Sequence, residues 1–531
     1  MNDKLYDNCS VGDLVVSAIA RGGDRVAFIC DDTRWTYRQL GAMVSQVIQV
    51  LQARGLQRGD AVATLSGNRP EAFLITAASY LMGLRLTWMN PTSSEDDHTY
   101  ILQDSGVHTL FVDPVGFSDR AQVLARRVPG VTRLMSFGAN DGFGEDLLAA
   151  AATHTPTRLV PQAEADDVCV LIYTGGTTGK PKGVMHTHRV QVTMILTEMA
   201  DWDWPGDLRF LALTPITHAS GAMIMPVLLK SGTYAMTQGF SAEKFVHLVE
   251  QHRITATFLV PTMVYVLLDS PARQGADLSS LKLIIYGASP MSPTRLVEGM
   301  QVFGPVFMQL YAQSEAPNTV TVLHQHEHDP VNHPERLASC GTPCVGTQVR
   351  LLNDDGQEVA DGAVGEICVR GPLVMKGYWN KPEETAQALR HGWLYTGDMA
   401  RRDADGYLYI VDRSKDMIIS GGFNVYPREV EDTLSQHPAV AAAAVVGVPD
   451  AKWGEAVRAL VVLRAAVVGD APADPLALAA ELMAWVRERK GAVQTPKAID
   501  FVDALPMTGL GKLDKKAIRA SFWQGQQRAV H

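Results

Sequence analysis

With 46% hydrophobic and 20% charged residues, the chain has the make-up of an ordinary soluble globular protein. Its 531 residues divide into roughly three or four compact units, because a single core does not grow that large. A net charge of −10 argues against nucleic acid or an anionic membrane as the main partner, so a polyanionic ligand must be met by local positive sites.

Six cysteines without a Cys-x-x-Cys pair argue against a zinc site or disulfide framework and fit a reducing cytoplasm. Met1-Asn2-Asp3-Lys4 is not followed by an apolar signal region. The apolar run 439–448 is about half the length of a membrane span, so no transmembrane segment is expected. Arg528-Ala529-Val530-His531 is not a peroxisomal address.

Trp35 to Leu40 leads into a predicted helix with Leu40, Val44, Val47, Ile48 and Leu51 on one face, ended by Gly55. A strand over 61–65 follows, then a helix from Pro70 that Asn90-Pro91 closes as a turn. Next come a helix over 99–104 and a strand over 109–113. Residues 168–172 form a compact apolar run, read as a buried strand. Beyond it the pattern gives strands over 208–213, 255–260 and 281–286 and a helix over 242–252. Alternating strands and helices imply a mostly parallel sheet covered on both faces. Past about residue 335, short β segments with glycine turns (348–352, 365–370, 407–411) read as a small β-rich module. A new α+β unit starts at Arg413, and residues 464–475 read as an exposed loop within it. The fold class is therefore α/β, with a large N-terminal domain over 1–412 and a smaller α+β domain over 413–531.

The strand over 168–172 runs into Tyr173-Thr174-Gly175-Gly176-Thr177-Thr178-Gly179-Lys180-Pro181-Lys182-Gly183. Three glycines in five positions let backbone N–H groups turn inward, which suits an anionic oxygen. Thr174, Thr177 and Thr178 add hydroxyls, and Lys180 and Lys182 add charge. It is not a Walker A loop, since Thr174 stands where the first glycine belongs and Pro181 follows Gly179-Lys180. Other chemistry-bearing residues fall at strand ends, where open α/β sheets gather ligands. They are His218 after Thr214-Pro215, the segment Gly287-Ala288-Ser289-Pro290, and Tyr311-Ala312-Gln313-Ser314-Glu315. That last segment joins an aromatic platform to a hydroxyl and a carboxylate able to hold a hard cation. Asp398, in Trp393-Leu394-Tyr395-Thr396-Gly397-Asp398, can accept both hydroxyls of a ribose. His324-Gln325-His326-Glu327-His328-Asp329 reads as a polar loop rather than a metal site.

In this order the motifs resemble those of the adenylate-forming superfamily, which includes acyl-CoA synthetases, peptide-synthetase adenylation domains and luciferases. The resemblance runs from about Trp35 to Lys516 and covers five ordered motifs. Gly175 replaces the family's usual serine, Ala312 its glycine and Ser314 its threonine. What the resemblance implies is ATP, Mg2+ and coenzyme A acting with a small-molecule carboxylic acid. It assigns Thr174 to Gly179 and Lys182 to phosphates, and Gly287, Ala288, Ser289 and Tyr311 to the nucleotide. Asp398 and Arg413 are the ribose pair, Glu315 and Thr178 the metal ligands, and Ser314 a phosphate donor. His218 stands beside the acyl carbonyl. Lys415 is the hinge, near 413–415, and Gly421-Gly422 borders the thiol entrance. Lys512, in Pro506-Met507-Thr508-Gly509-Leu510-Gly511-Lys512, matches the adenylation lysine, an ammonium able to touch carboxylate and α-phosphate together.

Residues 214–221 contain no Asp for a substrate ammonium, and no carrier domain follows Lys512. Both favour free coenzyme A and an apolar aliphatic or aryl acid. The expected protein is a cytoplasmic acyl-CoA synthetase, with a homodimer allowed. The alternatives are a ligase that loads a separate acyl carrier protein and an inert nucleotide-binding regulator on the same fold.

Overall fold

The computed structural model describes residues 9–140, 142–174, 180–413, 416–420, 423–450, 453–464, 474–508 and 513–523, without the side chains of Arg413 and Asn424. Local signals set the first helices. In helix Tyr37–Ala53, Thr36 accepts from the Gln39 amide while the Gln39 side chain accepts from the Thr36 amide, satisfying two donors that a helix start leaves open. Helix Pro70–Met82 begins on proline and stops at Gly83, whose left-handed backbone closes it. That helix is buried nearly all round, because it lies in a layer between two sheets. Phe73 packs on Phe28 of one sheet at 5.3 Å, and the helix also meets strand Arg85–Met89 of the other.

That strand corrects the sequence reading. Asn90-Pro91 ends strand Arg85–Met89 rather than the helix, which has already stopped at Gly83. Five residues between two breakers left no room for a visible period.

Among the described residues the strands form four sheets. One carries the parallel core Glu145–Asp146, Arg133–Ser136, Thr109–Val112, Ala61–Leu65, Arg85–Met89 and Val168–Thr174. Lys182–Thr187 and Gly377–Tyr378 are added antiparallel at its edge. The second has a parallel core from Val26–Cys30 through Thr233–Met236, Arg209–Ala212, Ala256–Leu259 and Leu283–Tyr286 to Phe307–Gln313, with antiparallel strands at both edges. The third, an antiparallel sheet, is the β-rich module: Gln348–Leu352, Val364–Arg370 and Trp393–Arg402, the last also paired with Leu408–Arg413.

The fourth sheet is built on Gly454–Leu463, paired along its length with the edge strand Val440–Asp450, and has its own core around Ile418, Val430, Leu434, Val457, Leu482 and Val486. The apolar run 439–448 lies mostly in strand Val440–Asp450. Among the described residues no helix is long and apolar enough to cross a membrane. The loop expected over 464–475 falls largely on 465–473, outside the described residues.

Candidate active site

Strands Val168–Thr174 and Lys182–Thr187 run antiparallel with Tyr173 opposite Gly183 and Thr174 opposite Lys182, so they hold both ends of the glycine-rich segment. Gly175, Gly176, Thr177, Thr178 and Gly179 lie outside the described residues. At Gly183 a Cβ would meet the Tyr173 ring at 3.0 Å, so a side chain there would press on that ring. The Tyr173 hydroxyl donates to Asp104 Oδ2 at 2.7 Å, and burial with that bond pushes the phenol well up. Lys180 and Lys182 face aromatic rings, Tyr100 at 5.0 Å and Tyr378 at 5.2 Å. No described carboxylate pairs with either ammonium, so their charge is available to an anion.

Strand Phe307–Gln313 turns at Ser314-Glu315 into Ala316–Leu323. The Tyr311 hydroxyl and Gln313 Nε2 both donate to Asp398 Oδ2 at 2.7 Å, and Gln313 Nε2 also donates to the Thr396 carbonyl at 2.8 Å. Asp398 is buried, and its amide donates to Thr396 Oγ1 at 3.1 Å. It stands in register with Arg413 on the neighbouring strand. The Gly397 amide donates to Glu366 Oε1 at 2.7 Å, and burial holds that carboxyl above its ordinary range.

Glu315 Oε1 accepts from the Tyr378 hydroxyl at 2.8 Å. The Ser314 carbonyl accepts from His186 Nε2 at 2.6 Å, while His186 Nδ1 accepts from Gln191 at 2.7 Å. A carbonyl can only accept, so the ring carries its proton on Nε2. Burial drives this imidazole down to about 4, which keeps it neutral.

His218 precedes the short helix Ala219–Ala222 and shares a 3.0 Å bond between Nδ1 and Thr217 Oγ1. Asn68 holds the segment before it, donating to the Thr214 and Thr237 carbonyls at 3.0 Å and accepting from the Ile216 amide at 2.9 Å. At Gly221 a Cβ would lie 1.7 Å from the Ile216 carbonyl oxygen. Behind Thr217 is a cavity of about 30 Å³ whose lining includes Phe73, Trp88, Met194, Ile195, Ile216 and Met225. A Cβ on Gly287 would meet the Leu310 carbonyl oxygen at 2.6 Å, and Ala288 takes a positive φ of 65°. This segment therefore turns tightly against the strand that carries Tyr311.

The structure thus joins Tyr311, Ser314, Glu315 and Asp398, bonded through His186 and Tyr378 to strands Lys182–Thr187 and Gly377–Tyr378, with Thr174 paired opposite Lys182. Lys415, Gly421, Gly422 and Lys512 lie outside the described residues, as does the Arg413 side chain. Met507 and Leu513, which flank Lys512, pair as an antiparallel bridge. The His324–Asp329 run is not simply a polar loop. His328 is buried, with Nε2 3.0 Å from the Tyr286 hydroxyl. Among the described residues no group of three His, Cys, Asp or Glu could hold a metal ion. Gln313, His186, Tyr378 and Asn68 were given no role from the sequence.

A family model described as AMP-binding enzyme matches residues 16–379. The chain belongs to the AMP-binding enzyme family. A second model, AMP-binding enzyme C-terminal domain, matches residues 429–512. A medium/long-chain fatty-acid–CoA ligase, FadD8 of Mycobacterium tuberculosis, is 48% identical over 98% of this chain and 91% of its own length. A feruloyl-CoA synthase of Amycolatopsis is 38% identical over 92% and 94%. Among solved structures, the amide bond synthetase McbA of Marinactinospora thermotolerans matches with a TM-score of 0.87 and 32% identity, over 97% of this chain and all of that one. Within the AMP-binding enzymes the chain stands in the acyl-CoA ligase branch, as an AMP-forming acid–thiol ligase. Its large mixed α/β N-terminal part and smaller C-terminal part are those of the adenylate-forming superfamily.

Proposed function

We propose that this protein converts an apolar carboxylic acid, ATP and coenzyme A into acyl-CoA, AMP and pyrophosphate through an acyl-adenylate. The observation that carries the site assignment is the convergence of Tyr311 and Gln313 on Asp398 just before the Ser314-Glu315 turn, with Glu315 bonded to Tyr378, whose strand pairs with the one that leaves the glycine loop. In the first step the acid's carboxylate attacks the α-phosphorus of ATP and pyrophosphate leaves. Carboxylate and triphosphate repel, so neutralisation and positioning supply most of the acceleration.

Thr174 to Gly179 with Lys182 cradle the phosphates, and Ser314 donates to one of them. The Tyr311 ring, with Gly287, Ala288 and Ser289, bounds the adenine. Asp398 and Arg413 take the ribose, and Lys512 meets carboxylate and α-phosphate. Glu315 suits Mg2+: it offers a carboxylate whose Oε2 has no partner among the described residues, and hard cations take oxygen ligands. Glu315 and Thr178 would hold that ion, which would neutralise charge on the triphosphate. His218 sits beside the acyl carbonyl.

In the second step the domain from residue 413 onward rotates about Lys415, withdraws Lys512 and brings Gly421-Gly422 to the site. The thiol of coenzyme A then attacks the mixed anhydride, forming the thioester and releasing AMP. An apolar acid is favoured by Ala219, Ala222 and the lined cavity behind Thr217, and by relatives that act on fatty and feruloyl acids. With these co-substrates the protein would work in the cytoplasm.

A thioester-formation screen over short, medium, long and aromatic acids tests the assignment, run with coenzyme A and with a holo-carrier protein as rival acceptors. Turnover of at least one apolar acid with coenzyme A is expected; transfer to the carrier alone would replace coenzyme A as the acceptor. Lys512→Ala is expected to abolish acyl-AMP formation while sparing transfer from presupplied acyl-AMP, and equal loss of both would remove that lysine from the first step.

A further inference from the structure

Strand Gly377–Tyr378 is two residues long, yet several neighbours hold it. It pairs with strand Lys182–Thr187, Tyr378 opposite Val184. On either side, the Lys376 amide donates to the Met185 carbonyl at 3.0 Å and the Trp379 amide to the Gly183 carbonyl at 2.7 Å. The Met375 amide donates to the Glu315 carbonyl at 2.8 Å, and the Tyr378 amide to Thr385 Oγ1 at 2.9 Å. Gly377 has a φ of 140°, and a Cβ there would lie 2.8 Å from Thr385 Cγ2. The tyrosine held this way donates its hydroxyl to Glu315 Oε1 at 2.8 Å while its ring lies 5.2 Å from the Lys182 ammonium.

We propose that Tyr378 is a positioning residue for the divalent cation that accompanies ATP, fixing Glu315 through Oε1 and leaving Oε2 for the ion. This rests on the reading of Glu315 as a metal ligand. A free glutamate spreads over many rotamers, whereas Mg2+ demands near-ideal octahedral geometry, so an unanchored carboxylate is a poor ligand for it. Tyrosine is apt because the bond needs a donor, and the phenol hydroxyl supplies one to Oε1. The same ring offers Lys182 an aromatic face, and no ion pair joins Lys182 to Glu315 among the described residues. One side chain thus bonds the proposed metal ligand and packs against the strand that leaves the glycine loop.

The test is equilibrium ATP binding by calorimetry to the full-length enzyme and Tyr378→Phe, in excess EDTA and again in Mg2+. Outer-shell partners of metal ligands typically change metal affinity by 10–100-fold. Tyr378→Phe is therefore expected to bind ATP about tenfold more weakly in Mg2+, to match the parent in EDTA, and to transfer presupplied acyl-AMP at the parent rate. Equal affinities in Mg2+ would overturn the assignment. So would an equal loss in both media, which reports a deformed site. In a Glu315→Gln background Tyr378→Phe should have no further effect, and an additive loss there would also contradict it. A parent enzyme that gains no ATP affinity from Mg2+ would instead overturn the metal role of Glu315 itself.

Discussion

The Tyr311 hydroxyl donates to Asp398 Oδ2 at 2.7 Å across 87 positions of sequence. It ties the strand that ends at the Ser314-Glu315 turn to the β-rich module, so the Tyr311 ring and the Asp398 carboxylate, the proposed adenine and ribose contacts, are joined directly. A hydrogen bond to a charged group contributes about 1.5–3 kcal/mol, and 1.4 kcal/mol is about tenfold in an equilibrium constant. Tyr311→Phe keeps the ring and loses the bond. Its KM for ATP should rise roughly tenfold with a smaller change in the KM for the acid. Steady-state kinetics varying each substrate checks this, and an unchanged KM for ATP would contradict it.

Asn68 uses both ends of its amide to hold the segment before His218. Asn68→Ala leaves two carbonyls and the Ile216 amide without that partner, in a buried place. A destabilisation of about 1–3 kcal/mol is expected, seen as a lower denaturant midpoint, together with slower adenylation.

Glu198 is fully buried, with Oε1 accepting from Asn318 Nδ2 at 2.8 Å and Oε2 without a partner. Burial pushes its carboxyl up from 4.5 to about 8, against the pull of the Asn318 bond. Between those values the folded chain binds the proton and the unfolded chain has released it. The contribution of this carboxyl to stability therefore falls as pH rises through that window and is constant outside it. Glu198→Gln removes that contribution. Melting temperatures at about pH 5, 7 and 9 should show the variant gaining on the parent as pH rises across the window set by burial; a constant difference would contradict this.

Much of the fold was legible because its signals are local. Pro70 starts a helix, Gly55 follows the end of the one before it, and the apolar run before Tyr173 is a strand whatever surrounds it. Ser314, Glu315 and Asp398 were legible through their chemistry and order. The supporting residues were not. Tyr378 meets Glu315 from 63 positions away and Gln313 meets Asp398 from 85, and no spacing in one chain records such a bond. His328 was misread for the same reason, since its burial depends on Tyr286, 42 residues earlier.

Ala312 lies half-buried on the Tyr311 strand, packed against the main core. The motif that this segment resembles has glycine there, and under the proposed function the Ala312 methyl group would narrow the acyl path. Ala312→Gly is expected to shift kcat/KM toward longer or bulkier acids by several-fold, since one methyl-sized change in an apolar pocket is worth roughly 10–200-fold at most. An unchanged acid profile would remove Ala312 from the pocket.

The most direct measurement is isotope exchange between pyrophosphate and ATP in the absence of coenzyme A, with and without an apolar acid the enzyme accepts. An acyl-adenylate formed before the thiol arrives predicts exchange that requires the acid and not the thiol, and that is lost in Lys512→Ala. Exchange that begins only when coenzyme A is added, or that proceeds without acid, would contradict the account.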